Sequence, residues 1–418
     1  MLNNLFRSIR VRDFQDSFIM TGGTLLAGVF DYAFNVISGR LLLPSEYSIL
    51  VAMLSILQIL LHATNVIRNV VAYYTADIVS KATDRMAITP FLRQSYRWSW
   101  RWGIVSAILL GLLAFPLSAW LNFPSPAPVW AAAPALIMLF VRPITDGTLQ
   151  GIQQFRGLAS VAVFQAVLRV LAGFLLIQLL GRAVGAVIAL PIATFAAFGL
   201  AMWFLQDYFR GDGSGDGQSI SLRYSMETFI GFISYAILTN ADVLFTRAYF
   251  PTSEAATYAA VATLGKIILF ISLAIGMTLF PKAISRYQSG EPVAPLLFLA
   301  LGGTFLPGLA MTGIYFAIPD LIVEVIFRNE FQSPGIILGL VGLATTLFAG
   351  INIWLNYALS TKREWYVYTL LVVVIVYLLG LFYFQQSLQQ FAMVLITAGV
   401  LGNLLGVGLL GWGNEIGR

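Results

Sequence analysis

Four ionisable side chains lie within long apolar stretches of the sequence, where a charged group is unusual. Asp31 and Asp242 are acidic, whereas Arg169 and Lys266 are basic. If the apolar stretches cross a membrane, each ionised group costs about 3 kcal/mol or more unless it faces a partner or a water-filled cavity. Each of the four residues is therefore a candidate for ligand binding or ion coupling.

The two basic residues lie near the middle of their apolar stretches. At a rise of about 1.5 Å per residue, about 11 helical residues place Arg169 and Lys266 close to the membrane midplane. Neither side chain is near enough to a helix end to reach the interface. An anionic ligand in a central cavity is one partner for these cations, since guanidinium groups fit phosphate. The alternative is a buried ion pair with Asp31, Asp242 or Glu227.

The two acidic residues lie in the outer halves of the first and seventh apolar stretches. Asn35 follows Asp31 by one helical turn, so the two side chains share a face. Asp31 and Asp242 are predicted to bind a proton or sodium ion, or to contact the substrate. The alternative for each acid is an ion pair with Arg40 or Arg247 near the interface.

Three amide side chains extend this set of cavity candidates. Gln165 lies one helical turn before Arg169, and Asn352 and Asn356 share one face of the tenth apolar stretch. Amides of this kind can bind sugar hydroxyls. They can equally well form hydrogen bonds between neighbouring membrane helices.

Arg142 and Asp146 lie one turn apart near the inner end of the fourth apolar stretch, with Pro143 between them. This spacing favours a local ion pair at the cytoplasmic mouth. A gating function for the two residues is the alternative.

The composition predicts an integral membrane protein and excludes most catalytic chemistry. Of 418 residues, 59% are hydrophobic and 10% are charged, against about 45–50% and about 25% in soluble domains. There are no cysteines and a single histidine, His62, which excludes disulfides, thiolate sites and histidine-rich metal sites. We therefore expect transport rather than enzymatic activity. No cofactor is expected beyond a coupling proton or sodium ion.

The apolar stretches number twelve, and each is about as long as a membrane-crossing helix of roughly 20 residues. Long apolar runs of this kind predict helices rather than a barrel. The predicted spans are 16–38, 46–67, 99–121, 127–149, 158–180, 184–206, 225–247, 255–279, 294–318, 334–357, 366–386 and 391–412.

The basic residues are strongly biased to one side of this topology. Only Arg40, Arg182, Arg247 and Arg328 fall on the opposite side. Because cytoplasmic loops are the positively charged ones, both termini are predicted to be cytoplasmic. The chain is predicted to be a multi-pass protein of the cytoplasmic (inner) membrane.

Two short segments recur about half a chain apart. Residues 39–45 match residues 246–252 at an offset of 207, and residues 146–155 match residues 356–365 at an offset of 210. Six spans separate the copies, so the halves share one orientation. The predicted fold is an all-α membrane protein with two six-helix lobes, related by a pseudo-two-fold axis along the membrane normal.

The predicted lobes are residues 1–206 and 224–418, joined by a cytoplasmic linker at 207–223. Glycine, serine and aspartate dominate the linker, which is typical of a flexible connection. Two lobes with a cavity between them can rock and open that cavity to each side in turn. This is the alternating access of secondary transporters.

Several of these segments resemble one known family. They are Asn240-Ala241-Asp242, the Phe280-Pro281-Lys282 turn predicted to close the eighth helix, the Leu149-Gln150-Gly151 turn and the 39–46 loop. The chain is similar in these segments to bacterial polysaccharide flippases of the O-antigen and oligosaccharide type. These form the oligosaccharidyl-lipid branch of the MOP (multidrug/oligosaccharidyl-lipid/polysaccharide) exporter superfamily.

The resemblance implies a twelve-helix, V-shaped protein with a central cationic cavity. It implies that the cargo is an undecaprenyl-diphosphate-linked oligosaccharide, moved from the cytoplasmic to the outer leaflet for polysaccharide biosynthesis. Arg169 and Lys266 would then attract the diphosphate, and Asp31 would couple transport to a proton or sodium gradient. The implied partners are membrane lipid, glycosyltransferases and a polysaccharide polymerase. Lipid II flippases of the superfamily typically have two more helices.

Two other functions remain open at this stage. A multidrug exporter of the same superfamily would carry an acidic cavity for organic cations. A membrane glycosyltransferase or polymerase would need a large outer loop with acidic and basic residues, and the largest candidate is 319–333. The basic segment 85–101 favours anionic lipid headgroups over a nucleic-acid partner.

Overall fold

The computed structural model describes residues 2–81, 85–209, 222–289, 291–328 and 331–411, and over these residues the protein is all-helical. Two short 3₁₀ turns, Arg85–Ile88 and Gln206–Phe209, accompany the α-helices. The α-helices are α1 (Leu2–Leu41), α2 (Pro44–Lys81), α3 (Thr89–Leu112), α4 (Ala114–Trp120), α5 (Ala127–Gly151), α6 (Phe155–Leu180), α7 (Ala183–Leu205), α8 (Leu222–Leu238), α9 (Ala241–Tyr249), α10 (Thr252–Gln288), α11 (Ala294–Ala317), α12 (Pro319–Phe327), α13 (Ile336–Ser360), α14 (Trp365–Tyr383) and α15 (Leu388–Gly411).

Each of the twelve predicted spans is confirmed as helical, and two of them are broken. The third span is α3 plus α4, bent by 55°, and the seventh is α8 plus α9, bent by 42°. Within the described residues, eight helices are long and apolar enough to cross a membrane alone, and the bent pairs raise this number to ten. Helices α1 and α10 occupy the remaining two predicted spans. The chain is a multi-pass membrane protein.

One predicted loop contains a short helix, and one predicted helix end is wrong. The outer loop predicted at 319–333 contains the short helix α12, which Pro319 can start because its missing N–H is not needed in a first turn. The segment Phe280-Pro281-Lys282 does not close a helix, because α10 continues through it to Gln288.

The first repeat is visible in the backbone at the junctions α1–α2 and α9–α10. The Tyr47 N–H donates to the Leu43 carbonyl at 2.9 Å, and the Ala255 N–H donates to the Pro251 carbonyl at the same distance. These bonds are 208 residues apart, so the true offset is one larger than the sequence match gave.

The second repeat is visible at the α5–α6 and α13–α14 turns. The Gln154 N–H donates to the Leu149 carbonyl at 2.8 Å, and the Arg363 N–H donates to the Ala358 carbonyl at 2.9 Å. Such bonds across five residues satisfy carbonyls at a helix end. Their spacing of 209 residues corrects the predicted offset of 210 by one.

These two turns also share an unusual backbone conformation. Gln153 has φ 59° and Lys362 has φ 56°, both left-handed. Glycine usually occupies this position after a helix, because a side chain is strained there. The two halves therefore keep one turn geometry without keeping the residue type.

The chain divides into two compact units. One consists of residues 1–41, 64–119 and 124–221, and the other of residues 42–63, 120–123 and 222–418. Helix α2 therefore contributes its first half to the second unit and its second half to the first. The predicted linker at 207–223 lies largely outside the described residues.

Glycines allow close helix packing within the first unit. A Cβ on Gly147 of α5 would lie 2.5 Å from the carbonyl oxygen of Arg68 in α2. A Cβ on Gly103 of α3 would lie 2.9 Å from the carbonyl oxygen of Ile137 in α5. Small residues let membrane helices approach closely where no hydrophobic driving force is available.

Candidate functional site

The break between α8 and α9 is stabilised by its own side chains. The Thr239 hydroxyl donates to the Tyr235 carbonyl at 2.9 Å, and the Asn240 amide Nδ2 donates to the Ala236 carbonyl at 2.9 Å. The Asn240 N–H donates to the Ile237 carbonyl, so the Ala236 carbonyl depends on side-chain donors for a partner. An unpaired carbonyl at membrane depth would cost several kcal/mol. The residues Thr239 and Asn240 thus permit an interruption in the middle of an apolar span.

Asp242 lies in the first turn of α9 and is buried. A carboxylate is favourable at a helix N-terminus, where the helix dipole is positive. The Tyr258 hydroxyl of α10 donates to Asp242 Oδ2 at 2.8 Å. The backbone N–H groups of Asp242 and Val243, in the first turn of α9, also interact with this carboxylate.

Lys266 of α10 is held by two neutral amides. Its Nζ donates to Gln58 Oε1 of α2 at 3.0 Å and to Asn240 Oδ1 at 2.9 Å. The side chain of Asn240 therefore bonds to α8 through its nitrogen and to the ammonium through its oxygen. Amide oxygens carry no net charge, so this arrangement orients Lys266 without neutralising it.

Asp242 and Lys266 meet at one small cavity inside the second unit. Its volume is about 10 Å³, roughly what a single water molecule requires. The wall is mostly apolar, with a few polar groups. The lining residues are Thr239, Asp242, Ala262, Lys266, Leu269, Val341, Thr345, Phe348 and Leu395.

The first unit pairs its midspan cation directly with an acid. Arg169 of α6 forms an ion pair with Asp31 of α1, and its guanidinium lies 5.3 Å from the ring centroid of Phe34. The Arg169 side chain is 16% exposed and the Asp31 side chain 41%. Gln165 donates to the Thr194 hydroxyl at 3.2 Å. The ion pair with Asp31, given above as the alternative to an anionic ligand for Arg169, is thus confirmed.

The remaining candidates form local contacts. Asn356 Nδ2 donates to the Asn352 carbonyl at 2.8 Å within α13, and Asn352 is buried. Arg142 Nε lies 3.4 Å from Asp146 Oδ2, which is the local ion pair that their spacing predicts. A function for these four residues in sugar binding or gating stays a prediction.

Arg247, predicted on the outer side, is also buried but has different partners. Its Nη2 donates to the Asn122 carbonyl at 2.8 Å, and its guanidinium lies 5.7 Å from the ring centroid of Phe123. Asn122 in turn donates to the Ala248 carbonyl at 2.8 Å. Arg247 therefore anchors residues 120–123 to α9.

Two residues of the second-unit cluster, Gln58 and Tyr258, were not predicted from the sequence. Gln58 is an amide inside an apolar span, one turn before His62, and this position is a signal that could have been used. Tyr258 carries no such signal, because tyrosines are common in membrane helices for packing alone.

Comparisons with known proteins bear on the fold. No protein-family model and no curated protein matches the chain. A multidrug resistance MATE family transporter of the MOP superfamily, solved in an inward-facing conformation, aligns with a TM-score of 0.73 at 12% identity, over 96% of this chain and 99% of its own.

Two further solved structures align over almost the whole chain. The lipid II flippase MurJ, in an inward closed conformation, gives a TM-score of 0.67 at 9% identity, over 94% of this chain and 87% of its own. A MOP superfamily transporter from Pyrococcus furiosus gives 0.58 at 13% identity, over 95% of each chain. At these identities the likeness establishes the fold: the chain has the two-lobed, twelve-helix fold of MATE-type transporters.

Proposed function

We propose that the protein is an alternating-access transporter that moves an anionic, lipid-linked oligosaccharide from the cytoplasmic to the outer leaflet. In this proposal both termini are cytoplasmic, and the cargo is attached to its lipid through a diphosphate. The observation that carries the proposal is the set of hydrogen-bond partners of Lys266. It is a cation inside a predicted span whose hydrogen-bond acceptors are both neutral.

A charge at membrane depth is costly and usually has a function. Gln58 and Asn240 bring no negative charge to the ammonium of Lys266, and Asp242 in the same cavity acts on it electrostatically. The Asp242 carboxylate in the same cavity accepts its hydrogen bond from Tyr258 instead. A phosphate oxygen would form a charge-assisted hydrogen bond with the ammonium, about twice as strong as a neutral one.

The family resemblance supports the same cargo. The segments around Asn240 and Leu149 are similar to polysaccharide flippases, and one structure of the same fold is described as a lipid II flippase. The proposal implies glycosyltransferases that supply the lipid-linked oligosaccharide and a polymerase that consumes it.

The second candidate function is export of organic cations. It is favoured by the Arg169–Asp31 pair, which cancels the cationic charge expected in the first unit. The buried carboxylate of Asp242 would also attract a cation. A structure of the same fold is described as a multidrug resistance transporter.

Reconstituted vesicles can distinguish the two candidates. Purified protein would be tested with a fluorescent diphosphate-linked oligosaccharide and, separately, with a fluorescent organic cation. We expect the wild type to translocate the oligosaccharide. Lys266→Ala should lower the translocation rate at least about tenfold, since a lost charge-assisted bond is worth about 1.4 kcal/mol or more. Lys266→Arg should retain part of the rate.

The matched control is Lys81→Ala. Lys81 is 69% exposed and pairs with Asp77 one turn away, so its loss should leave translocation unchanged. Unchanged oligosaccharide translocation by Lys266→Ala would contradict the proposed site. Transport of the organic cation alone would favour the exporter.

A further inference from the structure

We infer that the ammonium of Lys266 takes the place of a monovalent metal cation at the α8–α9 break, so that this cluster exchanges protons and does not bind sodium. The exclusion of sodium follows from the geometry of the second unit alone. The coupling of proton exchange to transport rests on the proposed function.

The surroundings of Lys266 Nζ are those of a cation site. Two amide oxygens, Gln58 Oε1 and Asn240 Oδ1, lie 3.0 and 2.9 Å from it. The carboxylate of Asp242 lines the same cavity. Oxygen atoms from amides and carboxylates are the ligands that hard metal cations prefer.

The broken helix provides a field that suits a cation beside an anion. The last turn of α8, with Asn240 following it, is a helix C-terminus, where the dipole is negative. Asp242 lies at the N-terminus of α9, where the dipole is positive. Interrupted helices in membrane transporters use such ends to coordinate sodium ions and protons. Here an amino group of the chain itself supplies the positive charge.

A second cation would not be tolerated beside the ammonium. The cavity holds about 10 Å³, so a sodium ion in it would lie within a few ångströms of Lys266 Nζ. Like charges at about 4 Å repel by about 4 kcal/mol at an intermediate effective dielectric constant. Asp242 provides one negative charge, which the ammonium already balances.

Proton exchange remains available to this cluster. The titratable groups that act electrostatically on Asp242 are Lys266 and Tyr258 of α10 and Tyr377 of α14. Lys266 also interacts with His62 of α2. Tyrosine hydroxyls ordinarily titrate near pH 10. The experiment therefore has to distinguish proton exchange at the Asp242 carboxylate from proton exchange at the His62 imidazole.

Binding of radioactive sodium to the purified full-length protein, without cargo, tests the exclusion of sodium. We expect no saturable binding to the wild type. Lys266→Ala should bind about one sodium ion per molecule, because the amide oxygens and Asp242 remain around the vacated position. Lys266→Arg, which keeps the charge, should bind none, and adding Asp242→Asn to Lys266→Ala should abolish the acquired binding.

A comparison of the wild type with the single variant Asp242→Asn keeps the inference testable even if the Lys266 variants do not fold. Saturable sodium binding to the wild type that Asp242→Asn removes would overturn the inference. So would the absence of sodium binding in a folded Lys266→Ala protein.

The coupling ion is tested separately in vesicles. A pH gradient, and not a sodium gradient, should accelerate translocation, and this response should survive His62→Gln but not Asp242→Asn. Acceleration by sodium would overturn the inference. A protein that translocates no oligosaccharide would instead contradict the proposed function, and the sodium-binding result would stand independently of it.

Discussion

The two compact units hold the charged side chains of their predicted spans in different ways. In the first unit, Arg169 forms an ion pair directly with Asp31. In the second unit, Lys266 donates to two amides and Asp242 accepts from a tyrosine. Both units combine one acid and one base inside predicted spans, but only the first cancels the two charges through direct contact.

The chemistry of the two cations accounts for the difference. A guanidinium is a planar fork of donors that matches a carboxylate, so an arginine near an acid tends to pair with it. A lysine ammonium is a compact charge whose donors can be satisfied by single amide oxygens. The guanidinium of the first unit is therefore held by a carboxylate, whereas the ammonium of the second unit is held by amide oxygens.

The largest expected effect comes from breaking the pair in the first unit. Arg169→Met should lower the free energy of unfolding by about 2–3 kcal/mol, because it leaves Asp31 unpaired inside the bundle. This estimate is at or below the low end for a buried pair, since Asp31 is 41% exposed. Thermal or denaturant unfolding in detergent would measure the loss.

A double variant provides the control for this prediction. Adding Asp31→Asn to Arg169→Met should recover part of the loss, because the unpaired charge is removed. Adding Asp242→Asn to Lys266→Met should recover a smaller share of the loss, because these two side chains are held by other partners and not by each other. Equal recoveries in the two double variants would contradict the contrast between the units.

A smaller effect is expected from the hydrogen bond that holds Asp242. Tyr258→Phe removes the donor to Asp242 Oδ2 and leaves a buried acceptor without a partner, which should cost about 1–2 kcal/mol. Tyr368→Phe is the matched control, since Tyr368 is exposed. If both variants unfold at the wild-type temperature, the carboxylate does not depend on Tyr258.

The smallest expected effect concerns the left-handed residues of the two repeated turns, α5–α6 and α13–α14. Gln153→Gly and Lys362→Gly should each stabilise the protein by about 0.5 kcal/mol, because glycine relieves the left-handed strain but gains freedom in the unfolded chain. Gly181→Ala, at φ 62°, should change stability in the opposite direction. Unequal gains would show that the two turns are strained to different degrees.

Much of the fold could be predicted from the sequence. Runs of about 20 apolar residues must form helices in a membrane, and the observed helices fall on all twelve predicted spans. The repeat was found to within one residue at each junction. The break at Leu113 was not predicted, because the apolar pattern continues through it. The break at Thr239-Asn240 was not predicted although polar residues interrupt the apolar pattern there.

The candidate site was predicted in part. The sequence located Asp31, Arg169, Asp242 and Lys266 inside their spans, because a charged residue is conspicuous in an apolar run. It treated the two cations as equivalent. It also missed Gln58 and Tyr258, which decide how the charges in the second unit are held.

Composition and the length of the apolar runs therefore determined the membrane environment and the helical spans, because these depend on position along one chain segment. The tertiary structure alone decided which charges meet. Lys266 and Gln58 are 208 residues apart, and Arg169 meets an acid from a different helix. Depth does not specify the rotation of a helix about its axis or the identity of its neighbours, and side-chain packing between helices fixes both.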